Sequence, residues 1–133
     1  MYKHVKIHGS NHTFNNIGDT VDGGVFISLA NFKNITVCDD SVSFGAGTTY
    51  SELIKSVAAK GKALPNLPSL PHINVVGSMM TATHGSGYHE PIMTAHVLSI
   101  DVVFADGTTK TINKTDPDFF LYIINFGSVC IIT

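Results

Sequence analysis

One well-marked helix between two groups of short strands is the feature that most constrains the fold of this chain. Thr48 or Thr49 can cap the helix, and Glu52 stands three residues after Thr49, as in a capping box. Gly61 is typical of a helix end. Alternation with period two predicts a strand at residues 4–8. Runs separated by Asn, Asp and Gly predict three more strands before the helix, at residues 25–29, 35–37 and 42–44. This order has no repeating strand–helix–strand rhythm, which favours an α+β fold over a doubly wound sheet.

The part of the chain after the helix is predicted to be extended at first and then compact. Three prolines between residues 65 and 71 enforce the extended segment. The elements predicted beyond it are a helical turn at 76–81, a hairpin of 97–104 and 108–112 with its turn at Asp106-Gly107, a short helix starting at 116–118, and a strand at 129–133.

Composition narrows the function classes. The 133 residues are 44% hydrophobic but only 14% charged, with a net charge of −2, so one domain with a core is expected and no basic surface invites nucleic acid. The low charge predicts neutral contacts with a ligand, another chain or a further part of the same chain. The apolar residues 119–133 are too few to span a bilayer, and no secretory signal opens the chain. A cytoplasmic or organelle-lumen location fits, without a choice between them.

Metal and disulfide chemistry find little support in the sequence. Cys38 and Cys130 are far apart and form no metal-binding pair. His4, His8 and His12 are spaced by four residues, which would align them on a helix, but the alternation around them predicts a strand that ends at residue 9. No metal site is therefore assigned.

Gly45-Ala46-Gly47 resembles the start of a dinucleotide-binding fingerprint. The sixth position of that pattern is Tyr50 rather than glycine or alanine, and no strand–helix–strand unit follows. A tight turn entering the helix is the better interpretation.

Two stretches rich in small and polar residues point to a bound ligand. Residues 9–15 (GSNHTFN) follow a predicted strand and can turn several backbone N–H groups toward one point, forming an anion site without a charged side chain. Residues 69–87 (SLPHINVVGSMMTATHGSG) alternate hydroxyls and small residues with apolar anchors, which suits close approach to a large flat ligand that carries a pyrophosphate. Either stretch alone could be a simple loop.

Together these stretches resemble the FAD-binding domain of the vanillyl-alcohol-oxidase superfamily (PCMH-type), and within it alditol (xylitol) oxidases and sugar-1,4-lactone oxidases. Ala46-Gly47, residues 105–107 and Phe126-Gly127 extend the likeness over nearly the whole chain. The resemblance implies two small α/β subdomains with FAD between them, incomplete at both ends. Residues 1–36 would be a remnant of the first subdomain and residues 37–133 the second, with the substrate domain absent beyond residue 133.

The resemblance also implies a set of FAD-binding residues. His12 matches the histidine that these oxidases attach covalently to the 8α-methyl of the flavin. The other implied FAD contacts are Ile7, His8, Gly9, Ser10, Asn11, Thr13, Ser69, His72, Asn74, Gly77, Ser78, Met79, Met80, Thr81, His84, Gly85, Ser86, Gly87 and Ile131 or Ile132.

The implied function is oxidation of a CH–OH group of an alditol or aldono-1,4-lactone, with O2 as acceptor and H2O2 as product. The expected partners are thus a small polyol or sugar lactone, O2 and the absent substrate domain, which would hold the catalytic side chains. An alternative is a non-catalytic remnant or interaction module of the same fold. Three departures from the family pattern are Asn11 and Cys130 in place of glycines and the bulky pair Met79-Met80. Asn11 is expected to adopt a positive φ, and Cys130 is expected to lie near the cofactor.

Overall fold

The computed structural model describes residues 4–133, which form seven short strands and three short helices. The mixture confirms the α+β class. The strands are β1 (Val5–His8), β2 (Val25–Ser28), β3 (Ile35–Val37), β4 (Val42–Phe44), β5 (Ser99–Val103), β6 (Thr109–Asn113) and β7 (Ile131–Ile132). The helices are α1 (Tyr50–Ala58), α2 (Val75–Met79) and α3 (Phe119–Ile123), with 3-10 turns at Asn16–Gly18 and Met93–His96.

The strands pair in three separate sheets within residues 4–133. β1 and β2 run parallel, with Val5 opposite Val25 and His8 opposite Ser28. β3 and β4 form an antiparallel pair, and β5 lies between β6 and β7 in a three-stranded antiparallel sheet. The connection between β1 and β2 contains the first of the two stretches predicted to bind a ligand, which begins directly after the last paired residue of β1, His8.

The predicted capping box of the long helix is present. The Thr49 hydroxyl accepts from the Glu52 N–H at 3.4 Å, while a Glu52 carboxylate oxygen accepts from the Thr49 N–H at 2.9 Å. α1 ends before Gly61, whose φ of 67° permits the chain to turn back. Both ends of the helix therefore follow from local sequence.

The predicted hairpin is β5 and β6, and its turn holds Gly107 at a φ of 85°. The last strand is shorter than predicted: only Ile131–Ile132 pair with β5, where the prediction extended over residues 129–133. The reason is that a turn precedes it, in which Phe126 and Gly127 have positive φ and the Asn125 side chain accepts from the Gly127 N–H at 2.7 Å.

The apolar residues form two clusters that meet at α2. One packs the inner face of β5, β6 and β7 against α3, and the other packs Leu53 and Val57 of α1 against Val75. Val76, the next residue of α2, belongs to the first cluster. α2 therefore packs against both apolar clusters. This packing holds in place the second stretch predicted to bind a ligand, residues 69–87, to which α2 belongs. No helix within residues 4–133 has the length and apolar character needed to cross a membrane.

Candidate functional site

The two stretches predicted to bind a ligand line one cleft of about 620 Å³. That volume is within the range of small-molecule and cofactor sites. The first wall consists of residues 6–15 and 17–18. The second wall consists of residues 68–70, 73–74 and 76–78 with Met80 and Thr81. The remaining lining residues are 28–30, Lys33, Ala46, Gly47, Thr83, His84, Phe126, Gly127 and Ile132. Segments some 60 residues apart in sequence thus face one another.

Direct contacts hold the two walls together. The Nε2 atoms of His12 and His72 are 2.7 Å apart, and the ring centroids are 4.5 Å apart. The Ser10 hydroxyl donates to the backbone carbonyl of His72 at 3.4 Å. Gly9 lies against Asn74, since a Cβ added at Gly9 would be 3.4 Å from the Asn74 Cβ. Both stretches therefore belong to one site.

The first wall presents free backbone donors. Asn11 has a φ of 53°, which confirms the expected left-handed conformation. The backbone N–H groups of residues 10–14 donate no hydrogen bond to any residue among 4–133, and all five residues are exposed. Such a run of unpaired donors around a left-handed residue suits an anion.

The charges around the cleft also favour an anion. Lys6 and Lys33 line it, and among residues 4–133 no aspartate or glutamate does. Lys33 is held by Glu52, with the Nζ atom 2.7 Å from a carboxylate oxygen. This hydrogen bond, followed by those from Thr49, lowers the pKa of Glu52 to about 2.

Asn74 positions the second wall. Its Oδ1 accepts from the Gly77 N–H at 2.7 Å and caps α2, while its Nδ2 donates to the Ala46 carbonyl at 2.7 Å. Gly47 of the same turn packs so closely on the Leu29 carbonyl that a Cβ would clash with it. The Gly45-Ala46-Gly47 turn therefore serves close packing at the edge of the cleft, in agreement with the tight-turn interpretation.

A buried hydrogen bond between two hydroxyl groups connects α2 to α1. The Tyr50 hydroxyl and the Ser78 hydroxyl are 2.8 Å apart, and Ser78 also donates to the Val75 carbonyl at 2.8 Å. Burial raises the pKa of Tyr50 above its ordinary value, although the Ser78 hydrogen bond acts in the opposite direction. The cleft-lining Ser78 is thus anchored to α1.

Most of the predicted site residues line the cleft. They are Ile7, His8, Gly9, Ser10, Asn11, His12, Thr13, Ser69, Asn74, Gly77, Ser78, Met80, Thr81, His84 and, of the two late isoleucines, Ile132. His72 does not line the cleft itself but touches His12 and Ser10. The roles of these residues toward a cofactor stay predictions.

Besides His72, five predicted contacts lie outside the cleft lining. Met79 packs against both apolar clusters, and Ile131 points away because neighbouring residues of a strand face opposite sides. Gly85 is packed so closely on Asn66 and Leu67 that a Cβ would clash there. The remaining two are Ser86 and Gly87, in the exposed loop that follows.

The expectation for Cys130 is corrected. Its side chain is buried in the first apolar cluster and does not line the cleft. Burial raises the pKa of this thiol. Cys130 therefore does not crowd the cleft, whereas Met80 is one of its lining residues.

Sequence reasoning did not single out the two lysines of the cleft as binding residues. Lys6 stands in β1 and Lys33 between β2 and β3, and neither belongs to a charge cluster. The exposed ring of Phe126 also lines the cleft. The only local indication in the sequence is the following Gly127, which is typical of a turn.

A larger groove of about 820 Å³ lies elsewhere, bordered by residues 37–44, 62–66 and 96–101. Its lining carries three carboxylates, Asp39, Asp40 and Asp101, against one lysine, Lys62. Of the predicted site residues, only Met79 and Ile132 line this groove. The acidic rim suits an anionic cofactor poorly. The smaller cleft is therefore the candidate site.

Comparison with known proteins identifies the family of the chain. Residues 2–113 match the family described as FAD binding domain. An alditol oxidase from Streptomyces sp. is 38% identical over 125 residues, which cover 92% of this chain and 30% of that protein. An L-gulono-1,4-lactone dehydrogenase of Mycobacterium tuberculosis is 25% identical over 132 residues, 97% of this chain and 30% of that protein.

A solved structure shows the same fold. A His121Ala mutant of cholesterol oxidase from Brevibacterium sterolicum superposes with a TM-score of 0.86 at 16% identity, covering 98% of this chain and 28% of that one. The family match over residues 2–113 thus defines the class of the protein, a cofactor-binding domain of flavoproteins. This chain belongs to the FAD-binding domain family, of the PCMH type, and it spans less than a third of the length of these three proteins.

Proposed function

We propose that this chain binds FAD in the cleft, covalently through His12, as the cofactor-binding part of an oxidoreductase. The reaction proposed is oxidation of a CH–OH group of an alditol or an aldono-1,4-lactone, with O2 as acceptor and H2O2 as product. The observation that carries the proposal is the 2.7 Å contact between His12 and His72, which joins the two predicted FAD-binding stretches in one cleft.

The residues of the cleft fit FAD by their chemistry. The unpaired N–H groups of residues 10–14 and the two lysines suit the pyrophosphate. Apolar side chains such as Ile7, Met80 and Ile132 suit the flat flavin ring and keep water away from it. His12 stands at the wall as the nucleophile for attachment.

The chemistry that bound FAD would supply is uptake of a hydride from the alcohol carbon and transfer of the electron pair to the acceptor. This chain's own contribution is to bind and orient the cofactor. Substrate selectivity and the side chains that act on the alcohol are assigned by this proposal to sequence outside the 133 residues, because the matched relatives are more than three times as long.

The choice of substrate and acceptor draws on the relatives. The alditol oxidase supports a polyol and O2, whereas the lactone dehydrogenase supports a sugar lactone with a different acceptor. The higher identity to the alditol oxidase is the reason to propose O2 first.

The first experiment tests FAD binding and attachment. The chain is produced with FAD, its visible spectrum is recorded, and the protein is precipitated with acid and analysed by intact mass and peptide mapping. A yellow protein with one flavin mass on His12 is expected, and His12→Ala is expected to release all flavin on precipitation. A colourless protein would contradict FAD binding and favour a non-catalytic module of the same fold.

The second experiment tests the reaction. H2O2 formation is measured with xylitol, sorbitol and a sugar lactone, for this chain alone and for the chain joined to the C-terminal part of the alditol oxidase. Activity is expected only in the joined protein. Flavin that stays oxidised in the joined protein with all three substrates, under anaerobic conditions, would contradict the proposed substrate class.

A further inference from the structure

The imidazole rings of His12 and His72 form a hydrogen-bonded pair across the cleft wall. The two Nε2 atoms are 2.7 Å apart, so one of them carries the shared hydrogen and the other accepts it. The Nδ1 atom of His12 has no hydrogen-bond partner among residues 4–133. Both rings are exposed and come from segments 60 residues apart.

We propose that His72 orients His12 and takes up its Nε2 proton while the bond to the flavin forms. This inference rests on the proposed covalent attachment at His12 and assigns a new role to its neighbour. With the shared hydrogen on His12, the lone pair of Nδ1 is free to attack, and His72 accepts at Nε2.

The step balances with dioxygen as the oxidant. A bond forms between His12 Nδ1 and the 8α carbon, and one carbon–hydrogen bond of the methyl group breaks. The methyl proton goes to solvent and the Nε2 proton goes to His72. The electron pair of the broken bond reduces the flavin, and dissolved O2 then removes that pair as H2O2.

His72 is the base in contact with His12, since its Nε2 lies 2.7 Å from the His12 Nε2, whereas His8 and His84 line the cleft without a hydrogen bond to the His12 ring among residues 4–133. No carboxylate lines the cleft among residues 4–133, so no acidic side chain there can accept the proton. No cluster of three or more potential metal ligands exists within the same residues, which leaves the pair available for proton transfer. The Ser10 hydroxyl donates to the backbone carbonyl of His72 and so holds the His72 backbone next to the loop that carries His12.

The test measures the rate of covalent attachment in the 133-residue chain, made without flavin and then mixed with saturating FAD in air. Covalent flavin is followed by fluorescence of the denatured protein and by intact mass. The variants are His72→Ala and His72→Gln, and the matched control is His89→Gln, an exposed histidine outside the cleft. Saturating FAD removes any effect of affinity from the comparison.

We expect attachment to be slowed about 100-fold in both His72 variants, within the range of general-base contributions, and to be unchanged in His89→Gln. Glutamine can keep a hydrogen bond but cannot take up the proton. Added imidazole is expected to accelerate His72→Ala about ten-fold, because it replaces the missing base.

Each other outcome counts against the inference. A normal rate in His72→Gln would show that a hydrogen bond alone is enough, and slow variants that imidazole does not accelerate would show that His72 only shapes the loop. Absence of covalent flavin in the unaltered chain would refute both this step and the proposed attachment. Normal attachment in the unaltered chain with normal His72 variants would refute this step alone.

Discussion

The side-chain amide of Asn74 joins the Ala46 turn to the first turn of α2. Its Nδ2 lies 2.7 Å from the Ala46 carbonyl oxygen, and its Oδ1 lies 2.7 Å from the Gly77 nitrogen. Asn74 is buried, so both ends of the amide are satisfied by protein groups rather than by water. One side chain thus sets the distance between two parts of the cleft rim.

Replacing Asn74 is expected to separate its two roles, which are to cap α2 at Gly77 and to hold the Ala46 carbonyl. Asn74→Asp keeps an acceptor for Gly77 but places a carboxylate against the Ala46 carbonyl, and Asn74→Ala loses the hydrogen bonds at both ends of the amide, including a longer one to the Thr48 carbonyl at 3.3 Å. Each is expected to lower the free energy of unfolding by about 1–3 kcal/mol, the cost of an unsatisfied buried group. Urea unfolding measures it, with the exposed Asn34→Ala as control. Full stability of Asn74→Asp would mean that only the helix cap matters.

The sequence predicted α2 only approximately, and the reason lies in Asn74. Helical turns were expected at residues 76–81, whereas α2 is Val75–Met79. Asn74 is a common N-cap residue, but the small residues after it give no clear apolar stripe. The bond from Asn74 to Ala46 spans 28 residues and has no local signal. Long-range contacts of this kind set the cleft rim, and one sequence does not specify them.

Glu52 is expected to make stability depend on acid pH. Its pKa falls from 4.5 to about 2 in the folded chain, chiefly through Lys33 and then Thr49. A lowered folded pKa stabilises the fold above pH 4.5, and this contribution is lost as the pH falls from 4.5 toward 2. Because the pair is largely exposed, the contribution is about 1 kcal/mol or less.

The check compares urea unfolding of the unaltered chain and Glu52→Gln from pH 7 to pH 2. The difference in unfolding free energy should be greatest near pH 7 and should vanish near pH 2. In Lys33→Ala, NMR titration of Glu52 should show a midpoint closer to 4.5, since the first cause of the shift is removed. A difference that persists at pH 2 would assign the effect to packing instead.

Lys33 is expected to assist binding of the anionic cofactor. It lines the cleft while Glu52 holds its ammonium group at 2.7 Å. Lys33→Ala should weaken FAD binding about three-fold at low salt, the scale of an exposed ion pair, and high salt should remove the difference. Fluorescence titration of the His12→Ala background measures this affinity. An equal loss in Lys55→Ala, on the exposed side of α1, would indicate a general charge effect.

The sequence predicted which stretches form the cleft better than it predicted which individual residues line it. The run of residues 9–13 was assigned to the site because small polar residues after a strand suit an anion, and all five line the cleft. Residues 85–87 were assigned with them by resemblance, yet the chain leaves the cleft there. Gly85 packs closely on Asn66 instead, and packing partners so distant in sequence leave no periodic pattern.

Asn11 gives a direct test of the left-handed conformation in the first wall. At a φ of 53°, a residue with a Cβ costs about 1 kcal/mol, which glycine avoids and asparagine partly avoids. Asn11→Gly should therefore keep or slightly raise the free energy of unfolding, whereas Asn11→Ala should lower it by about 1 kcal/mol and weaken FAD binding. Asn34 has no positive φ, so Asn34→Gly should destabilise the chain instead. Urea unfolding and FAD titration of the four proteins decide the matter: equal effects of glycine at both positions would show that the conformation of Asn11 carries no advantage.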